Sequence, residues 1–150
     1  MITILVGIPC SGKSTLASKL AKQNNAVIIE ADQIRKMLVG TDDKYAAFNP
    51  KNESMVWKMH NNLIDVAIDN NSNIIISNTN CNLTILKNFC EEYKEQQICF
   101  KVLETSLDTC IERLDGKYPH MIPIMKSMLL NKADVVAWIK SKPLSVRLCD

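Results

Sequence analysis

Residues 7–14 read GIPCSGKS, which fits G-x-x-x-x-G-K-[S/T] without a gap. The run before it, Ile2 to Val6, is apolar and mostly β-branched, and predicts a buried strand. The run after it, Thr15 to Lys22, alternates apolar and polar residues at helical spacing. Strand, glycine-rich loop and helix in that order turn backbone N–H groups inward on a phosphate. The helix N-terminus adds its partial positive charge. Gly7 and Gly12 allow backbone angles that a Cβ would forbid. The whole loop, Gly7, Ile8, Pro9, Cys10, Ser11, Gly12, Lys13, Ser14 and Thr15, is the expected cradle for a nucleoside triphosphate. Lys13 is expected to reach the β- and γ-phosphates and Ser14 to ligate Mg²⁺.

Outward from the loop, apolar runs and helical patterns alternate. Ala26 to Ile29 predicts a second strand, and Asp32 to Val39 a short helix ended by Gly40. Residues 41–52 are polar and read as a loop. Residues 53–70 predict a long helix with Met55, Met59, Leu63 and Val66 on one face. Asn73 to Ser77 is a third strand, continuous in Ile as a strand buried on both faces would be. Leu83, Leu86, Phe89, Cys90 and Tyr93 trace a further amphipathic helix, and Ile98 to Leu103 a fourth strand. Ser106 is placed to cap a short helix marked by Leu107, Cys110, Ile111 and Leu114. A Gly/Pro-punctuated segment, 115–123, leads to a helix over 124–140, and Pro143 starts a tail. The repeated βα order predicts an α/β domain: about four parallel strands flanked by helices, with a short lid near 113–123. One such domain occupies residues 1–150.

In parallel sheets ligands sit at the carboxyl ends of the strands, so the residues just after each strand carry the functional reading. After the second strand come Asp32 and Arg35, three apart on a helical start and so on one face. An acid there accepts the proton of an attacking hydroxyl, and an arginine beside it holds an anionic group of the acceptor. Asp32 as a helix cap is compatible with that role. After the third strand comes Ser77-Asn78-Thr79-Asn80, an amide where a metal-binding strand would end in a carboxylate. Either Ser14, phosphates and water hold the metal or another acid helps. Asn78 and Asn80 also suit caps for the next helix. Arg113 and Lys117 bracket Leu114-Asp115-Gly116. Two cations on a glycine-containing segment suit a lid that closes over the transferred phosphoryl; the same residues also suit a helix end favoured by its dipole. Residues 131–134 read NKAD, a guanine-recognition string, but they follow a helical stretch, and no D-x-x-G follows the third strand. A GTP switch is excluded on that ground.

Composition sets the outer limits. Hydrophobic residues make up 47% and charged residues 23%, both globular values, and the net charge is +2. That charge excludes a heavily basic coat but permits a local basic groove. There are three arginines, Arg35, Arg113 and Arg147, against many lysines, so each arginine is a marked choice. The six cysteines, at 10, 81, 90, 99, 110 and 149, contain no C-x-x-C, and His60 and His120 complete no zinc pattern. They read as reduced thiols, with Cys10 set apart inside the phosphate loop. No leader peptide or membrane span is visible, which points to the cytoplasm. The N-x-[S/T] matches then carry no meaning.

Taken together, these residues resemble the kinase domain of the polynucleotide 5′-kinases of T-even bacteriophages. That family pairs G-x-x-x-S-G-K-S-T with D-x-x-R after the second strand and I-S-D-T-N ending the third. A lid with arginines four apart and a Val-Pro-Ile follows. The counterparts here are GIPCSGKST at 7–15, Asp32 and Arg35, ISNTN at 76–80, Arg113 and Lys117, and IPI at 122–124. Two departures stand out: Asn78 for the family's acid, and Lys117 for its second lid arginine. Lysine keeps the charge and loses the bidentate fork. The resemblance implies a Mg²⁺-dependent transfer of the γ-phosphate of ATP to the 5′-hydroxyl of DNA or RNA ends, of use in nucleic acid repair. It assigns Lys13, Asp32, Arg35, Arg113 and Lys117 as catalytic residues, with Ser14 on the metal. The family's phosphatase half, with its D-x-D-G-T motif, has no counterpart here. Two rivals stay open: a kinase of this fold acting on a nucleotide, sugar or antibiotic hydroxyl, and a non-catalytic module that binds in response to nucleotide.

Overall fold

The computed structural model describes residues 1–142 and the backbone of a strand at 146–148. Five strands, β1 (Ile2–Val6), β2 (Ala26–Ile29), β3 (Asn73–Ile76), β4 (Ile98–Val102) and β5 (Val146–Leu148), form one sheet in the order β2-β3-β1-β4-β5. Every ladder is parallel. The crossovers carry α1 (Lys13–Asn24), α2 (Ala31–Val39), α3 (Glu53–Asp69), α4 (Leu83–Glu92), α5 (Leu107–Leu114) and α6 (Met121–Lys140). The α/β expectation holds. The sheet gains β5 in what the sequence suggested was a tail; Pro143 and Cys149 lie outside the described residues.

β1 is central and its five residues are all buried. From β1 the chain crosses first to β2 and β3 on one side, then to β4 and β5 on the other. That switch opens a crevice at the carboxyl end of β1, where the phosphate loop begins. One face of the sheet, with Leu5 and Ile75, packs against Ala17 and Leu20 of α1. The other, with Ile2, Ile4, Ile74, Ile76 and Phe100, packs against residues of α3, α4 and α6. Side chains such as Ile4, Ile64 and Ile74 are 1% exposed or less, and each contributes about 1.5–3 kcal/mol by burial. Gly40 ends α2 in the left-handed region at φ 72°, with its N–H on the Lys36 carbonyl. Ser106 caps α5 by accepting from the Thr109 N–H. Both caps match expectation.

The long helix α3 is rotated from the expected face. Its buried stripe is Val56, His60, Ile64 and Ala67, while Met55, Leu63 and Val66 are exposed and Met59 is half-buried. Each expected residue sits next to a buried one, so a single step around the helix separates the two faces. Packing of α3 on α2, β2 and β3 decides between them. The NKAD string lies inside α6, where Lys132 is buried and donates to the Leu103 carbonyl at the end of β4. It therefore holds a strand end. Among the cysteines, Cys10, Cys81, Cys90 and Cys110 are free thiols, whereas Cys99 is disulfide-bonded, against the expectation of reduced thiols throughout. Among the described residues no helix is long and apolar enough to cross a membrane.

Candidate functional site

The phosphate loop is shaped by two glycines for different reasons. Gly12 precedes α1 at φ 97°, a conformation that side chains rarely adopt. A Cβ on Gly7 would stand 2.5 Å from Ser11 Oγ and 3.3 Å from Leu103 Cβ, so Ser11 or Leu103 would have to shift to admit one. Cys10 also lies in the left-handed region, at φ 63°. Thr105 Oγ1 donates to the Ser11 carbonyl at 2.7 Å, and the Gly7 N–H donates to the Thr79 carbonyl at 3.0 Å. The loop is thus fastened to the ends of both neighbouring strands. Lys13 Nζ folds back over it, donating to the Gly7 and Ile8 carbonyls at 2.8 Å each. Burial, and after it the nearby Lys44, pull the Lys13 ammonium down to about 8.

Asp32 lies in the first turn of α2, two residues past the Glu30 cap position. Its carboxylate accepts from Arg35 Nη1 at 2.8 Å. Arg35 is held a second time by Glu53 at the start of α3, through Nε at 3.0 Å and Nη2 at 2.7 Å. The hydrogen bond to Glu53 is the main cause that raises Arg35 above its ordinary value. Three of the five N–H groups of the guanidinium are therefore spent on carboxylates. This leaves two N–H groups for the anionic group of the acceptor that Arg35 is expected to hold. Glu53 escaped sequence reading because an acid at a helix start is accounted for by the helix dipole alone. Glu30 was missed as well. Burial, then the neighbouring Asp32, raise its carboxyl above the ordinary range.

Asn78 is not a cap for α4; Asn82 fills that place by accepting from the Ile85 N–H. Instead Asn78 Oδ1 accepts from the Ala31 N–H at 2.8 Å, which fixes its amide orientation. Its Nδ2 then faces His60 Nε2 at 2.9 Å. Burial lowers the His60 pKa and keeps the ring neutral, so Nε2 accepts from Asn78 and Nδ1–H donates to Asn61 Oδ1. Asn80 Nδ2 donates to the Leu5 carbonyl at 2.7 Å. Asn78 thus ties the end of β3 to the start of α2 and to α3, and Asn80 ties the same segment to β1.

The lid connection, 115–120, joins α5 to α6. Arg113 Nη1 donates to the Cys10 carbonyl at 2.9 Å and rests against the phosphate loop near Gly12. Tyr118 packs its ring 4.5 Å from that of Tyr45, and its hydroxyl donates to Asp43. Cys10 Sγ lies 3.4 Å from Tyr45 Oη. The loop between α2 and α3 and the lid therefore meet over the phosphate loop. Lys117 is exposed and does not line the cavity, so the second lid cation is not brought to the site.

These parts enclose an open cavity of about 1050 Å³. Pro9 through Thr15, Glu30, Asp32, Arg35 and Arg113 line it, with Ser77, Phe48 and Trp57. Gly7 and Ile8, expected in the cradle, do not line the cavity; their carbonyls accept from Lys13 instead. A phosphate-loop backbone, an acid held by an arginine and a second arginine against the loop thus meet at one cavity.

A family described as an AAA domain matches residues 2–124. No curated protein matches the chain. A solved structure described as that of a Pnkp1/Rnl/Hen1 complex is similar at 31% identity with a TM-score of 0.66. The alignment covers 75% of this chain and 38% of that one, so this chain spans little more than a third of that relative. A putative kinase from Chloroflexus aurantiacus is 15% identical with a TM-score of 0.66, over 83% of this chain and 73% of its own. Shikimate kinase from Acinetobacter baumannii, solved with shikimate, is 12% identical with a TM-score of 0.61, over 99% and 82%. These last two share the fold, which is that of phosphate-loop kinases.

Proposed function

The chain belongs to this AAA-domain family of phosphate-loop proteins, and we propose that it is an ATP-dependent kinase acting on the 5′-hydroxyl ends of DNA or RNA. The observation that carries the reading is the Asp32–Arg35 pair, closed at 2.8 Å and lining one cavity with the phosphate loop. The 31% identity to the Pnkp1/Rnl/Hen1 structure supports a nucleic acid acceptor over the small acceptors of the more distant neighbours. Loop amides and Lys13 hold the triphosphate. Asp32 takes the proton of the attacking 5′-hydroxyl as the new O–P bond forms and the bond to the ADP oxygen breaks. Arg35 orients Asp32 and offers its two unspent N–H groups to the acceptor. Arg113 stands against the loop, where charge develops on the transferred phosphoryl. Lys117 joins it only if the lid moves.

The residues fit Mg²⁺. Ser14 and Glu30 present oxygen donors to the cavity, and the buried Ser77 Oγ, which lines the same cavity, has no partner. Among the described residues no three acidic, His or Cys side chains form a metal cage. A hydroxyl with one carboxylate suits a hard cation that takes its remaining ligands from phosphates and water. When bound there, the ion would offset charge on the triphosphate.

The test supplies γ-labelled ATP, Mg²⁺ and one oligonucleotide in two forms, with a 5′-hydroxyl or a 5′-phosphate. Label entering only the 5′-hydroxyl form supports the reading. Label in neither form, or equally in both, overturns it.

A further inference from the structure

Two large aromatic side chains that line the cavity have no role in the chemistry above. Phe48, in the loop between α2 and α3, is 57% exposed, and Trp57, in the second turn of α3, is 38% exposed. Both line the cavity that holds Asp32 and the phosphate loop. Both also flank one cation: the Arg35 guanidinium carbon lies 6.0 Å from the Phe48 ring centre and 5.7 Å from that of Trp57. We propose that Phe48 and Trp57, with the Arg35 guanidinium between them, form a stacking platform for the base of the acceptor's 5′-terminal nucleotide. The inference rests on the polynucleotide kinase reading and names what grips its acceptor.

Three features support it. First, both residues keep a large exposed fraction while lining the cavity, so contact with the arginine does not use up their surface. Flat apolar surface of that kind, next to a guanidinium plane, is what unpaired bases stack on. Second, the arginine and the tryptophan of the platform are held before any ligand arrives. Glu53 grips Arg35 through two hydrogen bonds, and Trp57 sets an edge-on contact with buried His60 at 5.1 Å between ring centres. His60 is itself fixed by Asn78. Pre-set groups lose little entropy on binding. Third, with three of its five N–H groups spent, Arg35 by itself is a weak phosphate clamp. Acceptor affinity then needs another source, and stacking supplies it without regard to base identity. A sugar or small hydroxy acid offers no such flat surface.

The experiment crosses two proteins with two acceptors. The proteins are wild type and the double variant Phe48→Leu/Trp57→Leu, with circular dichroism confirming the fold of each. The acceptors are one 5′-hydroxyl oligonucleotide and its copy with an abasic 5′-terminal residue. Wild type is expected to prefer the base-bearing end by about ten- to a hundredfold in KM, as the loss of one stacked base implies. The variant is expected to lose most of that preference while still using the abasic end. Binding is read separately in a Trp138→Phe background, where Trp57 is the one tryptophan left. The base-bearing oligonucleotide should quench its fluorescence and the abasic one should not.

Base-dependent quenching without phosphate transfer would uphold the platform and sink the kinase reading. Transfer with equal KM for both ends, or a preference that survives in the variant, would overturn the platform and leave the kinase reading standing. Neither transfer nor quenching would overturn both.

Discussion

Lys13 gives the account a quantitative handle on pH. Burial, then Lys44, pull its ammonium from 10.5 down to about 8 in the nucleotide-free protein. A triphosphate in the loop sets negative charge against it and restores the charged form, so binding takes up a proton wherever the free lysine is partly neutral. The bound-state pKa is raised above the free value, so the affinity is fully present below about 8 and is lost as pH rises beyond it. The protonated fraction falls about tenfold from roughly pH 7 to roughly pH 9, so Kd for ATP rises about tenfold, or about 1.4 kcal/mol. Folding runs with the opposite sign. The unfolded chain binds this proton more tightly, so the nucleotide-free protein gains stability from Lys13 as pH rises from about 8 toward 10.5. Titration calorimetry with ATP, in pairs of buffers of different ionisation enthalpy, reads both Kd and proton uptake. Lys13→Met should bind ATP weakly and without this slope. A wild-type Kd that is flat across the window, with heats independent of buffer, would refute the placement of Lys13.

Asp32→Asn should cut kcat by roughly 10²–10⁴, the range for loss of a general base, with ATP affinity and melting temperature nearly unchanged; a change in melting temperature alone would make Asp32 merely a helix-start residue. Gly7→Ala forces Ser11 or Leu103 to move, and should lower stability by about 1–3 kcal/mol and weaken ATP binding, read by thermal melts and calorimetry. Unchanged values in both would contradict the close approach at Gly7. Alkylating Cys10 should block activity and Mg-ATP should protect it, while half-buried Cys90 is modified equally with and without nucleotide; peptide mass spectrometry distinguishes the two thiols.

What the sequence made legible was local. The phosphate loop, the strand runs, Gly40 and Ser106 are each decided within a few residues, and the structure agrees at every one. The pairing of Asp32 with Arg35 is likewise a property of one helical turn. What stayed hidden depends on how α3 sits. Residues 53–70 carry two adjacent apolar stripes, and packing on the sheet selects the one containing His60. That rotation brings Glu53 to Arg35 and His60 to Asn78, partners each 18 residues apart in sequence. No periodicity marks either contact. The same rotation sets Trp57 beside Arg35. Lys117 failed for the converse reason: its spacing from Arg113 suited a lid, but the turn at Asp115 and Gly116, both at positive φ, leaves it on the exposed side.

The central claim is that the hydroxyl facing Asp32 belongs to a nucleic acid end. Its most direct test is the ratio of kcat/KM for a 5′-hydroxyl oligonucleotide to that for a small polyol or hydroxy acid, measured side by side with saturating Mg-ATP. The account predicts a ratio well above about 10², with nuclease digestion returning the new phosphate on the 5′-terminal nucleotide. A ratio below one would contradict it and make the protein a small-molecule kinase.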